Sequence, residues 1–362
     1  MTFRTYLAEP SAERPAEIEL IRQMARHPKP AAATVQPYVD PKSAFIMQPA
    51  NAWLDTAPKG GARRLFGGFW FEHELCILFA DTNVGKSILA VQIGQSISSG
   101  QPMEPFELQV PAQDVLYFDF ELSQRQFEQR YSLDGRDRYR FSDRFYRVVP
   151  NPGCVRTQSF ASYHEFVSNG LENLLITSKA RVLIVDNLSC LRTGTEAAAA
   201  ALQLMKHLQT LRARYGLSIL VLAHTPKRNP ARPITRNDLQ GSKVLINFCD
   251  SAFAIGESQT QPGLRYLKQI KQRSAPEQYG AAQVCLCRIL KQYNYLCFDF
   301  MGHAHESEHL QAYTQQHRQA IQQKIAELHQ LGLSYRQISK RLGIPVTNIA
   351  RVLKRVDGEG DS

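Results

Sequence analysis

The sequence predicts an α/β fold with a mostly parallel sheet flanked by helices, followed by a small all-α domain. Three observations lead to this prediction. From Phe69 onward, short apolar runs alternate with helical patterns, as in sheets that are covered by helices. A phosphate-binding motif at 80–87 joins the first of these runs to the first helix. Beyond Gln316 the pattern is helical and rich in Lys and Arg.

Each strand is predicted from a short apolar run that is rich in branched or aromatic residues. Runs that alternate with helical patterns are assigned to the parallel part of the sheet: 75–79, 115–120, 145–149, 182–186, 219–223 and 251–255. Later runs follow one another closely and indicate an antiparallel meander: 265–270, 284–290 and 295–300. The helices between the parallel strands are predicted at 86–99, 123–133, 163–178 and 197–215.

These patterns divide the chain into a main α/β domain at 65–300 and flanking parts. Residues 1–64 mix Pro, Ala and charge and predict a partly ordered arm. Two interpretations of the arm stay open: one helix that docks on a neighbouring subunit, or a disordered leader. A His- and Gln-rich linker is expected at 301–315, a helix-turn-helix domain at 316–356 and a disordered tail at 357–362.

Charge and cysteine content limit the environment and the partners. The chain has 43 Lys or Arg against 33 Asp or Glu, and this net charge of +10 favours an anionic partner. Between Leu310 and Arg355, eight basic residues stand against a single acidic one, Glu327. Seven cysteines without a CxxC pair are typical of buried thiols in a reducing cytoplasm. No apolar run is long enough to span a bilayer, so we expect a cytoplasmic protein without a membrane partner.

Residues 80–87 are predicted to form a phosphate-binding loop, because they follow a strand and open a helix. The backbone amides of such a loop surround phosphate groups, Lys86 reaches the β- and γ-phosphates, and the Ser87 hydroxyl contacts Mg²⁺. Ala80 replaces the first glycine of the usual pattern, which is a mild departure. The expected contacts with ATP are Ala80, Asp81, Thr82, Asn83, Val84, Gly85, Lys86, Ser87 and Ile88.

Two carboxylates at strand ends complete the predicted hydrolytic site. Asp186 ends an apolar strand and is expected to hold Mg²⁺ through water. Glu121 ends the second strand, with Asp119 two residues earlier on the same face, and is the candidate base or water-orienting group. In each case the alternative is local: Asp186 could cap the next turn, and Glu121 could cap the following helix.

The order of these motifs resembles that of RecA-like P-loop ATPases. Residues 65–300 look most similar to the hexameric helicases of the plasmid-replication RepA type, and more distantly to the replicative helicase DnaB. The residues that carry the resemblance are, in order, Gly85, Lys86, Ser87, Glu121, Arg130, Asp186, His224, Lys271 and Arg273.

The resemblance implies further roles and an assembly. His224 would sense the γ-phosphate, and Lys271 and Arg273 would reach the nucleotide of a neighbouring subunit. This role requires a homo-oligomer, which in such helicases is a hexamer. A fixed cation at a subunit interface stabilises the charge of the transferred phosphoryl group. The alternatives are an ordinary strand-end histidine and a solvent-exposed basic strand.

A basic segment at 225–240 lies between His224 and Gly241 and lacks apolar periodicity. Its position matches the loop that contacts single-stranded DNA in RecA-like motors, and the alternative is a mobile surface loop. It contains no aromatic residue, so base stacking is not indicated. The candidate contacts with single-stranded DNA are Lys227, Arg228, Arg232 and Arg236.

The C-terminal pattern predicts a helix-turn-helix that binds duplex DNA. Ser334 caps one helix, Gly343 makes the turn, and the next helix starts at Pro345 or Thr347. The residues expected to face inward are Ile338, Leu342, Ile344, Ile349 and Val352. Those expected at the major groove are Thr347, Asn348 and Arg351, and those expected at phosphates are Lys340, Arg341, Lys354 and Arg355. The alternative is a helical hairpin for protein contacts, which the positive charge disfavours.

Two functions remain open at this point. The first is an ATP- and Mg²⁺-dependent oligomeric helicase or translocase that acts in replication of a plasmid or other mobile element. The second is a DNA-anchored ATPase switch or loader that regulates replication, transposition or transcription without unwinding DNA. Stimulation of ATP turnover by single-stranded DNA distinguishes the first from the second.

Overall fold

The computed structural model of the 362-residue chain describes residues 45–56, 60–154, 163–187, 197–239, 242–311 and 315–358. The chain divides into two compact units, residues 1–61 and 62–362. In the first unit, helix α1 spans Ala50–Asp55, and most of the predicted arm lies outside the described residues.

Within the described residues, one sheet contains nine strands in the order β13-β12-β11-β10-β3-β9-β8-β4-β7. Its strands are β3 (Leu75–Ala80), β4 (Val115–Asp119), β7 (Phe145–Val148), β8 (Val182–Asp186), β9 (Ser218–His224), β10 (Ser251–Glu257), β11 (Leu264–Lys271), β12 (Val284–Gln292) and β13 (Tyr295–Ala304). The strands from β10 to β7 pair in parallel, whereas β10 to β13 pair antiparallel. The predicted mostly parallel sheet with an antiparallel meander is confirmed.

Helices cover both faces of this sheet because side chains alternate along each strand. On one face, Cys76 and Leu78 of β3 pack with helix α2 (Lys86–Ser99). On the other, Leu75, Ile77 and Phe79 pack with α4 (Tyr163–Ser178) and α5 (Ala197–Tyr215). The three helices keep their predicted bounds, and α6 (Ser242–Phe248) follows the basic segment. No helix in the described part of the chain is long and apolar enough to cross a bilayer.

Two small hairpins were not predicted from the sequence. Strands β1 (Arg64–Phe66) and β2 (Trp70–Phe71) form the first. The helix predicted at 123–133 is shorter, since α3 spans Gln124–Arg130 and the residues after it form β5 (Ser132–Leu133), which pairs with β6 (Asp137–Arg138). Asp134 and Gly135 take positive φ angles of 51° and 70° in the turn. An Asp-Gly pair favours such a hairpin turn over a helix.

The linker predicted at 301–315 is largely part of the α/β domain, which corrects the predicted boundary. Strand β13 continues to Ala304, and a 3₁₀ turn follows at Glu306–His309. Glu306 and His309 are 1% and 3% exposed. The reason is electrostatic. Lys268 of β11 is buried and pairs with the Glu306 carboxylate, so if this stretch left the sheet, the buried lysine would lose the charge that compensates it.

Three helices form a separate small core, as the C-terminal pattern predicts. They are α7 (Gln315–Gln330), α8 (Tyr335–Leu342) and α9 (Val346–Gly358), and we call residues 315–358 the helical unit. Ser334 caps α8 in a capping box with Gln337, and Gly343 ends it at a φ of 68°. The buried residues of this core are Ile325, Leu328, Ile338, Ile349 and Leu353, with Leu342, Ile344 and Val352 packed against them. Most of the predicted tail, residues 359–362, lies outside the described residues.

Candidate nucleotide-binding site

The phosphate loop, residues 80–87, connects β3 to α2 as predicted. Gly85 takes a φ of 112°, which other residues rarely adopt. A Cβ atom at Gly85 would also lie 2.5 Å from Ile289 Cδ1 and 3.0 Å from the ring of Phe298. Glycine is therefore required here for two reasons, the backbone angle and the close approach of the β12–β13 hairpin.

Lys86 is folded back over the loop that carries it. Its Nζ donates to the carbonyl oxygens of Ala80 at 3.0 Å and Asp81 at 2.9 Å, and it lies 3.2 Å from Nδ1 of His224. The side chain is buried, and this burial lowers the pKa of Lys86, opposed by the nearby carboxylates. The ammonium group thus lies at the junction of β3 and β9, within reach of anything bound in the loop.

Asp186 lies at the end of β8 with one oxygen satisfied and one unsatisfied. The Tyr117 hydroxyl donates to Oδ2 at 2.7 Å. Oδ1 is buried and has no hydrogen-bond partner among the residues that the structure describes. Burial raises the pKa of Asp186 to about 6, although the neighbouring Ser87 and Tyr117 hydroxyls act in the opposite direction.

The oxygen atoms of Asp186 and Ser87 are suitable ligands for Mg²⁺. An unpaired carboxylate oxygen beside a serine hydroxyl is a set of oxygen ligands that this ion prefers, with waters completing the shell. The sequence predicted both residues for this role, and the structure brings them together, since the Ser87 hydroxyl is near enough to lower the pKa of Asp186.

Glu121, Asn187 and His224 form a polar cluster next to Lys86. Asn187 Nδ2 donates to Oε1 of Glu121 and lies 2.9 Å from Nε2 of His224. The same His224 nitrogen lies 3.6 Å from the Glu121 carboxylate. Chiefly through the His224 ring, these neighbours lower the pKa of Glu121, which favours the charged carboxylate that a base needs. The predicted site residues Lys86, Glu121, Asp186 and His224 therefore converge at one edge of the sheet.

Asp119 supports the turn that presents Glu121. Its Oδ1 accepts from the backbone amides of Glu121 at 3.1 Å and Leu122 at 2.9 Å, and its Oδ2 accepts from Arg147 at 2.8 Å. The residue is 1% exposed. Asp119 is thus a structural carboxylate, and no sequence motif marks its partner, Arg147 on β7.

Arg265 of β11 contacts the phosphate loop from the antiparallel side of the sheet. Its Nε donates to the carbonyl oxygen of Val84 at 2.8 Å, and its Nη1 donates to that of Gly263 at 3.0 Å. Gln92 of α2 exchanges two hydrogen bonds with the backbone of Phe298. The loop and its helix are therefore fastened to the meander. No local motif marks Arg265, and its role depends on strand pairing.

Lys271 and Arg273 lie at the opposite end of the sheet from the phosphate loop. Lys271 pairs with Ala252 at the start of β10, whereas Ile255, at the other end, pairs with Ala80. Lys271 Nζ donates to the carbonyls of Ile246 and Cys249, both at 2.6 Å. Arg273 is half-exposed and lies 3.6 Å from Asp250. The structure does not bring these two residues to the chain's own phosphate loop, and their contact with a neighbouring subunit stays a prediction.

The basic segment is anchored within the domain. Lys268 Nζ donates to the backbone carbonyl of Ile234 at 2.7 Å. The backbone amide of Ile234 donates to the Glu306 carboxylate at 2.8 Å. Three of the predicted DNA contacts are exposed: Lys227, Arg232 and Arg236. The side chain of Arg228 is 9% exposed and lies 3.7 Å from Asp81, so this cation faces the phosphate loop and not the solvent. The prediction that Arg228 contacts DNA is corrected accordingly.

The predicted DNA-contacting residues of the helical unit lie mostly on its surface. Lys340, Arg341, Thr347 and Arg351 are exposed, and Asn348 is half-buried. The side chains of Lys354 and Arg355 lie outside the described part. The turn between α8 and α9 faces the basic segment, since Lys227 Nζ lies 3.8 Å from where a Cβ of Gly343 would stand.

Comparisons with known proteins find a matching family. The family described as AAA domain matches residues 46–230, about half of the chain. A search of curated proteins finds no match. Among solved structures, a crystal structure of a KaiC-like protein from the hyperthermophilic archaeon Pyrococcus horikoshii OT3 is similar. It has a TM-score of 0.44 and 12% identity, over 65% of this chain and 93% of that one.

The family match includes the phosphate loop, Glu121, Asp186 and His224, and ends within the basic segment. The parallel sheet with its phosphate loop after β3 is the predicted RecA-like P-loop architecture. This chain belongs to the AAA domain family, and its core is a P-loop ATPase.

Proposed function

We propose that the protein is an oligomeric, ATP-driven helicase or translocase that acts in the replication of a plasmid or other mobile element. One observation carries the proposal. Lys86, Glu121, Asp186 and His224 meet at the carboxyl ends of the parallel strands, and the basic segment starts directly after His224. Strand β9 ends in His224, the proposed γ-phosphate contact, and the exposed cations of the basic segment follow directly in the chain.

The hydrolytic step follows from the positions of the side chains. Lys86 exchanges its backbone carbonyl partners for oxygens of the β- and γ-phosphates, which are stronger acceptors because they are charged. Glu121, held as a carboxylate, accepts the proton of the attacking water. Ser87 and Asp186 would hold Mg²⁺, which supplies a positive charge that stabilises the phosphate oxygens during transfer. His224, which lies between Lys86 and Glu121, is placed to contact the γ-phosphate.

Two surfaces serve DNA in this proposal. Lys227, Arg232 and Arg236 contact the backbone of a single strand, and the helical unit contacts duplex through Thr347, Asn348 and Arg351. Protein binding to the DNA backbone releases counterions from the DNA, so this binding weakens as the salt concentration rises. In a ring of identical subunits, a hexamer in the related helicases, Lys271 and Arg273 contact the nucleotide of the adjacent protomer.

The test is steady-state ATP hydrolysis without DNA, with single-stranded DNA and with duplex. We expect strong stimulation by single-stranded DNA that is lost in Lys86→Ala and Glu121→Gln. The double variant Arg232→Ala with Arg236→Ala should lose the stimulation and keep the basal rate. Lys206→Ala, on the surface of α5, is the matched control. ATP turnover that ignores single strands would contradict the motor.

A DNA-anchored ATPase switch or loader is the second candidate. The position of Gly343 beside Lys227 favours it, because duplex held by the helical unit would cover part of the basic segment. A switch predicts slow hydrolysis that is indifferent to single strands, with duplex binding that Arg351→Ala weakens. Lys324→Ala is the matched control, since Lys324 pairs with Glu327 on the exposed side of α7.

A further inference from the structure

Asn187 is the one member of the polar cluster for which the sequence suggested no role. It follows Asp186 directly and is 0% exposed. Its amide nitrogen donates to Oε1 of Glu121 and lies 2.9 Å from Nε2 of His224. A buried amide that contacts both the candidate base and the candidate γ-phosphate sensor occupies a position where small displacements affect the reaction.

The donors and acceptors of this cluster fix its geometry. A lysine ammonium group only donates, so Nδ1 of His224, 3.2 Å from Lys86 Nζ, must accept. A neutral imidazole that accepts at Nδ1 carries its proton at Nε2. Nε2 and the Asn187 amide nitrogen are then both donors and cannot bond each other. Of the two, the Asn187 amide is the direct donor to Oε1 of Glu121, whereas Nε2 lies 3.6 Å from this oxygen, beyond hydrogen-bond distance.

The backbone around Asn187 makes this arrangement rigid. Asp186 and Asp119 are register partners on β8 and β4, and the amide of Phe120 donates to the carbonyl of Asp186 at 2.9 Å. Asn187 and Glu121 therefore leave neighbouring strands side by side. The Glu121 side chain is 37% exposed, so without a buried donor the carboxylate is free to rotate toward solvent.

We propose that Asn187 is a positioning residue for ATP hydrolysis, which holds the Glu121 carboxylate beside His224 and in line with the attacking water. The inference rests on the ATP hydrolysis proposed above. Asn187 acts through Glu121, so it contributes to the hydrolytic step and not to nucleotide binding.

The expected effect is a separation of kcat from KM. Asn187→Ala should lower kcat by about 10- to 100-fold, the usual range for losing a hydrogen bond to a charged group. KM and the Kd of a fluorescent ATP analogue should stay within about threefold, because the loss is confined to the transition state. Asn173→Ala, an exposed asparagine on α4, is the matched control and should change neither.

The decisive measurement is a double-mutant cycle with Glu121→Gln, run on the full chain with folding checked by urea denaturation. If Asn187 acts through Glu121, then Asn187→Ala lowers kcat in the wild-type background and has no further effect in Glu121→Gln. Asn187→Ser keeps a donor and serves if the alanine variant unfolds; its smaller loss of kcat should likewise disappear in Glu121→Gln.

The possible outcomes distinguish failure of the positioning role from failure of the proposed function. A full additional loss in the Glu121→Gln background, a rise in kcat, or a change in KM with constant kcat overturns the positioning role alone. Absence of ATP turnover in the wild-type protein overturns the proposed function, and the inference with it.

Discussion

The ammonium group of Lys86 lies 3.2 Å from Nδ1 of His224, although 138 residues separate them in the chain. The contact joins the phosphate loop to the end of β9, so in the proposed mechanism the two groups would act on the same phosphate. We expect His224→Ala to lower kcat about 10- to 100-fold, with nucleotide Kd within about threefold, because His224 acts after binding. Lys86→Ala should instead lose nucleotide binding. Isothermal titration and steady-state kinetics check both, and a His224 variant with normal kcat would exclude the sensor role.

Arg265 should matter for nucleotide affinity although it lies outside the P-loop motif. Its hydrogen bond to the Val84 carbonyl holds the loop that binds phosphate. Removing it in Arg265→Ala should weaken ATP binding by about tenfold, as expected for a hydrogen bond from a charged donor. Arg288→Ala, an exposed arginine on the neighbouring strand β12, is the control and should bind ATP normally. Equal affinities of the two variants would show that the loop keeps its shape without Arg265.

The buried pair Lys268–Glu306 should contribute strongly to the stability of the domain. Their side chains are 9% and 1% exposed. Glu306→Ala leaves the lysine buried and unpaired, so the free energy of unfolding should fall by about 3 to 5 kcal/mol. The exposed Glu308→Ala is the control and should stay within about 0.5 kcal/mol of wild type. Urea denaturation measures both, and a loss below about 1 kcal/mol in Glu306→Ala would contradict the buried pairing.

Asp186 should destabilise the metal-free protein at neutral pH. Burial raises its pKa from 3.8 to about 6, so as pH rises through this window the unfolded chain releases its proton first. The free energy of unfolding therefore falls between pH 4 and 6, by about 2 to 3 kcal/mol from this group.

The neutral variant Asp186→Asn tests this linkage. In the presence of EDTA it should be more stable than wild type at pH 7 to 8 and equal to it below about pH 4, where both carry no charge at this position. It should also lose Mg²⁺-dependent ATP hydrolysis. Urea denaturation across this pH range checks the first expectation, and equal stability of the two proteins at pH 7.5 would contradict it.

Local signals account for most of what the sequence could predict. The pattern around Gly85, Lys86 and Ser87 gives the loop, and the spacing of Ser334 and Gln337 gives a helix start. Both work because the interacting groups are close in the chain, so the local sequence alone determines the geometry. Asp186 was found because it ends a buried strand and Glu121 because it follows the end of another, while His224 came from the family resemblance. Parallel strands end on the same side of the sheet, which is why the three residues meet.

Contacts that depend on strand pairing were missed. Arg265 and Val84 are 181 residues apart, and Lys268 and Glu306 are 38 residues apart. Nothing near either cation in the sequence distinguishes it from a solvent-exposed strand residue. Asn187 is an intermediate case: its place directly after Asp186 puts it at the right sheet edge, and polarity at that position was a usable signal.

The way in which residues 305–311 end the α/β domain limits where the helical unit can go. The amide of Gln311 donates to the carbonyl of Pro230, so the chain leaves the domain from the basic segment itself. Four Cα-to-Cα steps separate Gln311 from Gln315, and even fully extended they span no more than about 15 Å. A duplex bound by α9, as proposed above, would thus be kept on a short tether beside Lys227, Arg232 and Arg236. The high local concentration of this duplex would then decide which DNA strand the basic segment binds first. The separate DNA affinities of the two surfaces would matter less.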